Sequence, residues 1–368
     1  MRNTVLKIAA LVVGGAMSLP QPAPGLELDQ SIRLEAKAAM RRGTAYLSRA
    51  QLNNGSWANH PVVTSLVSVA LANLPDAIET PVTLDSALDY LASQAHENGA
   101  IWNRQTQQYP LYSTALSMLG LVRQGRPRDR YLLEAARHYL IANQRNEGER
   151  GDPAFGGFAE NNRGMPSLTV TQWALEALYL TDYLEENPER AVQVYNDALV
   201  FIMRCQAGMG SESAGNKVGP GCFRDYPVSE RGNEFEPVSG TPRSPAFLTC
   251  IGLKSLIYAR SQIDNPAVQS GLACLQQVYT VSENPGLGEK GLYTYLFALS
   301  KALRALDRDI FMDAAGNEHF WRRDIVLELL GRQVGDGSWR QATPAWWENH
   351  PELATAYALL IMERCVEF

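Results

Sequence analysis

Two short stretches far apart in the chain carry the same spacing. AQLNNGSW places Gln51, Gly55 and Trp57 at offsets that GRQVGDGSW repeats with Gln333, Gly337 and Trp339. A shared spacing near both ends points to a repeat architecture, in which each unit buries its apolar face only by stacking on the next. Looser members lie between: Gln94 with Gly99 and Trp102, Gln144 with Gly156 and Phe158, Gln206 with Gly221 and Phe223, and Gln277 with Gly291 and Tyr293. The last is the weakest, because its glycine and aromatic run almost straight into the next apolar segment.

Each glutamine ends a segment with apolar residues on one stripe and charge opposite, such as RYLLEAARHYLIANQ or WRRDIVLELLGRQ. Such helices face water on one side. Each aromatic precedes a segment that is apolar or small nearly all round, such as SLTVTQWALEALYL or ELATAYALLIME. Those helices are expected to be buried. Six alternations of the two kinds predict an all-α, single-domain (α/α)6 toroid over residues 28–368, with six inner helices parallel to one another and their N-termini opening at one end. A straight solenoid would need polar capping faces at its ends. The first and last inner segments are as apolar as the middle ones, which favours a ring. In that ring the glycine lets an outer helix stop and turn back, the glutamine amide satisfies orphaned backbone groups, and the aromatic fills the gap between hairpins.

A formal charge of -6 and a pI near 5.5, with no run of Lys or Arg, exclude nucleic acid as an expected partner, since phosphate binding needs a basic face. Arg2 and Lys7 flank a basic start, Ile8 to Met17 is apolar, and Ala16 and Ser18 are small, so residues 1–18 read as a secretory signal, with cleavage as late as about residue 25. The stretch is too short to span a bilayer and no later segment is long and apolar enough, so an exported, periplasmic or secreted chain is expected, with a retained anchor as the alternative because Pro20 to Pro24 blur the cleavage site. Five cysteines form no Cys-x-x-Cys pair. Cys205, Cys250, Cys274 and Cys365 lie in apolar helical patterns and read as buried thiols, with a Cys205–Cys222 disulfide across a loop as the alternative in an oxidising compartment. His60, His96, His138 and His319 lack metal-ligand spacing, no phosphate loop or Gly-x-Ser-x-Gly motif is present, and Asp307-Arg308-Asp309 reads as a polar turn; neither metal nor cofactor is expected.

The Gln and following Gly-x-Trp at turns between outer and inner helices resemble the repeat of squalene and oxidosqualene cyclases, shared in looser form with protein prenyltransferase β subunits. The resemblance spans essentially the whole mature chain and implies a toroid with a central cavity. It also implies where chemistry would sit, at the starts of the inner helices. Cyclases that protonate an alkene carry Asp-x-Asp-Asp just before a Thr-Ala; here Thr355-Ala356 follows Pro351, Glu352, Leu353 and Ala354, and no other inner start is acidic. The prenyltransferase zinc ligands are missing too, since Leu248 stands where a His should precede Thr249-Cys250.

The resemblance leaves an expected ligand-binding ring of Thr64, Thr114, Thr171, Thr249, Thr294 and Thr355 at the inner helix starts, with Phe158, Trp346 and Trp347 as apolar walls. Long insertions over 145–166 and 207–243, and the short connection RQATPAWWENHPE, are expected to crown the mouth. They carry Glu348 with His350, Asp152 and Asp225 as candidate acid–base residues, beside Glu160, Glu234, Glu236, Phe155 and Tyr226. Three functions fit: a cavity for a hydrophobic or amphipathic, isoprenoid-like molecule; an enzyme using loop carboxylates on a polysaccharide; or an extracytoplasmic protein-interaction module, if the Trp346-Trp347 pair is exposed.

Overall fold

Residues 28–74, 78, 84–105, 109–160, 164–208, 219–227, 244–259 and 262–366 are described by the structure, a computed structural model. The expected signal segment, Glu234 and Glu236 lie outside them. Outer helices are α1 (Gln30–Ala50), α3 (Leu84–Ser93), α5 (Arg130–Ala142), α7 (Pro188–Arg204), α9 (Pro266–Val278) and α11 (Trp321–Arg332). Inner helices are α2 (Pro61–Ala72), α4 (Pro110–Gln124), α6 (Leu168–Leu180), α8 (Pro245–Tyr258), α10 (Leu292–Ala305) and α12 (Pro351–Cys365).

Each inner helix packs on the next, and α12 returns to pack on α2, so the inner layer is a closed ring. The outer layer closes where α1 meets α11. The fold is therefore the expected all-α toroid. One addition is a small hairpin, β1 (Phe311–Met312) with β2 (Glu318–His319), between α10 and α11. Two-residue strands carry no readable alternation, which is why the sequence does not announce them.

The inner helices start crisply because proline fills the first turn of α2, α4, α8 and α12, where its missing N–H costs nothing. Ser167 and Ser244 cap α6 and α8 by accepting from Val170 and Phe247 N–H.

The repeat motif is a joint. The Gln333 amide donates to Gly337 O at 2.9 Å within its own turn and to Ala39 O at 2.8 Å on α1, tying the last outer helix to the first. Gln144 and Gln206 do the same, each reaching its own glycine carbonyl and the next outer helix at Val194 O and Ala267 O. Gly337 has φ 90°, and a Cβ there would lie 2.5 Å from Arg42 O, so glycine is required twice over. The Trp57 and Trp339 indoles donate back to Leu47 O and Leu329 O on their own outer helices.

The inner-helix threonines complete the joint. Thr64, Thr114, Thr171, Thr249 and Thr355 Oγ1 accept from the backbone N–H of Trp57, Ile101, Phe158, Phe223 and Trp339 respectively. Thr355→Val keeps the shape but leaves the fully buried Trp339 N–H without an acceptor, so chemical denaturation should register a loss of about 1–3 kcal/mol. An unchanged stability would show that this bond does not hold the joint.

Two joints depart from the pattern. At the second, Ile101 rather than Trp102 takes the buried position, and Gln94 turns to the neighbouring Ser93 hydroxyl. At the fifth, Gly291 packs on the Trp346 ring and Thr294 faces Glu348. Cys205, Cys250 and Cys365 are the expected buried free thiols, whereas Cys274 on α9 is not: it pairs with Cys222, with Cα atoms 5.2 Å apart, in place of the alternative Cys205–Cys222 bridge. Spacing along the chain could not show that the fourth loop folds back onto α9.

Candidate functional site at the mouth and axis of the barrel

Every connection from an outer to an inner helix lies at the end where the inner helices begin, and this end is the mouth. The axial side chains follow from the joint. With the threonines turned outward into the joints, residues two before and two after them turn inward. Tyr112, Thr169 and Phe247 line the axis at the first of these positions, and Trp173, Ile251 and Tyr357 at the second. Five of the six threonines expected to bind ligand are thus corrected: their hydroxyls are spent on buried N–H groups outside the axial space. Thr294 is the exception and does line that space. Phe158 is likewise a joint residue, buried beneath the loop.

Among the described residues the axis is nearly full. Side chains leave about 20 Å³ near the mouth and about 80 Å³ toward the opposite end, in place of the open cavity that the resemblance implies. Trp346 lines the upper space with Phe247, their ring centroids 6.1 Å apart. Trp347 packs on His60 at 4.7 Å and Tyr112 at 6.1 Å. The two tryptophans fold inward, which removes the condition on which the interaction-module reading rested.

The mouth concentrates backbone strain. Five non-glycine residues have positive φ among the described residues, and four of them, Ala58, Asn59, Trp346 and Trp347, flank the mouth. Such a conformation costs a bulky residue roughly 1–3 kcal/mol. The same segments bury polar atoms that have no partner among the described residues: both His60 ring nitrogens, Thr343 Oγ1, Trp346 Nε1 and Glu348 Oε2. Unsatisfied buried groups are rare in native proteins, and each costs about 1–3 kcal/mol.

Glu348 and Asp225 play parallel parts. Glu348 Oε1 accepts from Thr294 N–H and Oγ1, both at 2.6 Å, at the start of α10. Asp225 Oδ1 accepts from Thr169 N–H at 2.9 Å and Oγ1 at 2.7 Å at the start of α6. Both carboxyls complete helix N-termini from a neighbouring loop. Burial pushes Glu348 up to about 7, against the pull of its Thr294 hydrogen bonds. At neutral pH it is therefore a poised acid with one oxygen free of the helix, able to donate a proton or hydrogen bond but far too weak to protonate an isolated alkene. The expected pairing with His350 does not form: Glu348 is bound to Thr294, and His350 sits at the half-buried start of α12. Asp152 is exposed and holds a turn through Ala154 N–H, away from the axis.

Deeper down lies a charged layer that the sequence reading missed. Five residues past the joint threonines stand Val69, Leu119, Glu176, Lys254 and Leu360; on α10, whose threonine is out of step, Lys301 takes the equivalent place. Glu176 Oε2 accepts from Lys254 at 2.8 Å, and Oε1 from Lys301. Burial alone would raise the Glu176 carboxyl, but the two ammoniums hold it down at about 2. A signal was present: one or two charged residues in the middle of inner helices otherwise apolar all round.

Outside the ring, an open groove of about 740 Å³ runs between the first and second joints, lined by Asn53, Asn59, Asp89, Gln94, Trp102 and Asn103 among others. Trp102 is available to it because Ile101 took its place in the joint. Among the described residues no cluster of His, Cys, Asp and Glu is placed to hold a metal ion, and no helix is long and apolar enough to cross a membrane.

The sequence matches no described protein family and no curated protein. Its fold is similar to that of the type II terpene cyclase MstE from Scytonema in complex with its product merosterolic acid A, with a TM-score of 0.60 and 14% identity over 92% of this chain and 99% of that one. The same cyclase in complex with its substrate, geranylgeranyl dihydroxybenzoate, matches with a TM-score of 0.58 and 15% identity over 92% and 98%. A possible member of the GH105 family from Salmonella enterica matches with a TM-score of 0.58 and 14% identity over 95% and 98%. At these identities the likeness establishes the fold.

Because the folded-state pKa of Glu348 lies above the ordinary 4.5, the native state keeps a proton that the unfolded chain has released between about pH 4.5 and 7. Stability from this group therefore falls as pH rises through that window. Glu348→Gln has no proton to lose, so its stability relative to the wild type should rise by on the order of 3 kcal/mol from pH 4.5 to 7.5. A difference that stays constant with pH would contradict the buried, proton-holding state.

Proposed function

We propose that this chain is an exported toroid that holds a hydrophobic or amphipathic, isoprenoid-like molecule along its axis, admitted when residues 343–348 move aside from the mouth. Trp346 carries the reading. It fills an aromatic-walled axial position while held in a strained backbone conformation with its indole N–H unpaired. A pocket for a small organic ligand usually measures about 300–1,000 Å³, so a ligand must displace this ring rather than fit beside it. The strain and the unpaired groups lower the cost of that displacement. Tyr112, Phe247, Phe297 and Tyr357 would then wall an apolar guest. A structurally similar toroid holds geranylgeranyl dihydroxybenzoate, a polyprenyl chain on an acidic head, which supports the choice of ligand class.

Without the Asp-x-Asp-Asp acid, alkene-initiated cyclisation is not part of the proposal. Glu348 suits milder acid chemistry or a hydrogen bond to a polar head. Export rests on residues 1–18 and gains support from the Cys222–Cys274 pair, since disulfides persist in oxidising compartments.

A second reading, glycan binding, is favoured by the rim groove, whose amides, carboxylate and indole match the polar and stacking faces of a sugar. Titration with geranylgeraniol, followed by tryptophan fluorescence, separates the two. Saturable binding is expected, tightened about tenfold in Trp346→Ala because the closed mouth no longer competes. No binding by either protein, with oligosaccharide binding that depends on Trp102, would overturn the axial reading in favour of the groove.

A further inference from the structure

We infer that the lower axial space, at the end opposite the mouth, is a binding site for a small monovalent carboxylate, held by Lys301. The inference goes beyond the axial-ligand reading, because it concerns the far end of the barrel and does not depend on Trp346 moving.

The charges carry it. Lys254 is buried, the Lys301 side chain is 9% exposed, and one carboxylate, Glu176, serves them both. The space of about 80 Å³ is lined by Glu176, Lys301, Arg123 and Arg364, three cations against one anion, with Leu66, Val69 and Leu360 as apolar wall. An ammonium has three N–H donors, and Lys301 uses one, on Glu176. The faces of Trp173 and Phe297, at 5.5 and 5.0 Å, offer it only partial compensation. Uncompensated positive charge in a low-dielectric interior is costly, and an anion beside it removes the cost. Burial already pushes Lys301 down to about 7, with Glu176 pulling the other way.

The volume equals that of about three water molecules, which suits a group the size of acetate. A carboxylate can take the unspent Lys301 donors while its methyl or methylene end meets the leucine and valine wall. The remaining axial position on α6 is Gln172, whose amide oxygen is engaged by Lys254, so Lys301 is the donor left for the guest.

The same carboxylate could belong to a free small acid or to the head of a longer acid threading the axis. Calorimetric titration of the full chain with sodium acetate, and separately with sodium hexanoate, at constant ionic strength distinguishes these sources. The expected result is saturable one-to-one acetate binding, weakened about tenfold or more in Lys301→Met and retained in Lys301→Arg, which keeps the charge. Circular dichroism confirms that the variants are folded. Hexanoate binding about tenfold tighter than acetate would mark the site as a head-group site, and equal affinity a site for free small acids. Absence of saturable acetate binding, or equal binding by the wild type and Lys301→Met, would overturn the inference. Failure of the axial-ligand reading would appear separately, as absent geranylgeraniol binding with acetate binding intact.

Discussion

A buried backbone N–H at the turn between an outer and an inner helix must find an acceptor, and the ring is organised around providing one. In five of the six repeats a threonine hydroxyl on the inner helix supplies it, and in the best-formed joints a glutamine amide bridges the same turn to the next outer helix. These bonds do more than hold hairpins together. Fixing the threonine outward fixes the rotation of every inner helix, and so decides which side chains meet on the axis. The aromatic wall and the charged layer beneath it both follow from that rotation.

The rim groove and the plugged mouth lie at the two joints that depart from the pattern. At the second joint an isoleucine takes the buried position, which leaves Trp102 on a polar rim groove. At the fifth, Gly291 receives the Trp346 ring and Thr294 turns to a carboxyl from the next repeat. Strain and unsatisfied polar atoms gather around that second departure, as expected where local rules yield to function. The regular joints supply a rigid frame against which such a segment can move.

Fold class, closure and the roles of Gln333, Gly337 and Trp339 were legible in the sequence, because spacing and helical periodicity report them directly. The facing of the threonines was not. In a helix apolar all round, periodicity shows which residues share a face but not which face looks inward, so Thr171 and Thr355 read as ligand contacts when they are joint partners. Trp346 and Glu348 were legible as candidates, whereas the strained backbone that closes the mouth was not, since it arises from packing between distant repeats. Glu176, Lys254 and Lys301 could have been found by asking why apolar helices carry isolated charges at matching places. The Cys222–Cys274 pair lay beyond reach, as sequence separation does not set spatial proximity.

In this reading the segment over the mouth is a movable plug on a rigid ring. Hydrogen–deuterium exchange measures this most directly, by comparing backbone amides of residues 343–350 with those of α10 and α12. Fast exchange is expected in the segment beside strong protection in the two helices, with the segment's exchange altered on addition of geranylgeraniol. Protection of residues 343–350 equal to that of the inner helices, unaffected by the ligand, would show that the tryptophans are permanent core and that the axis is closed.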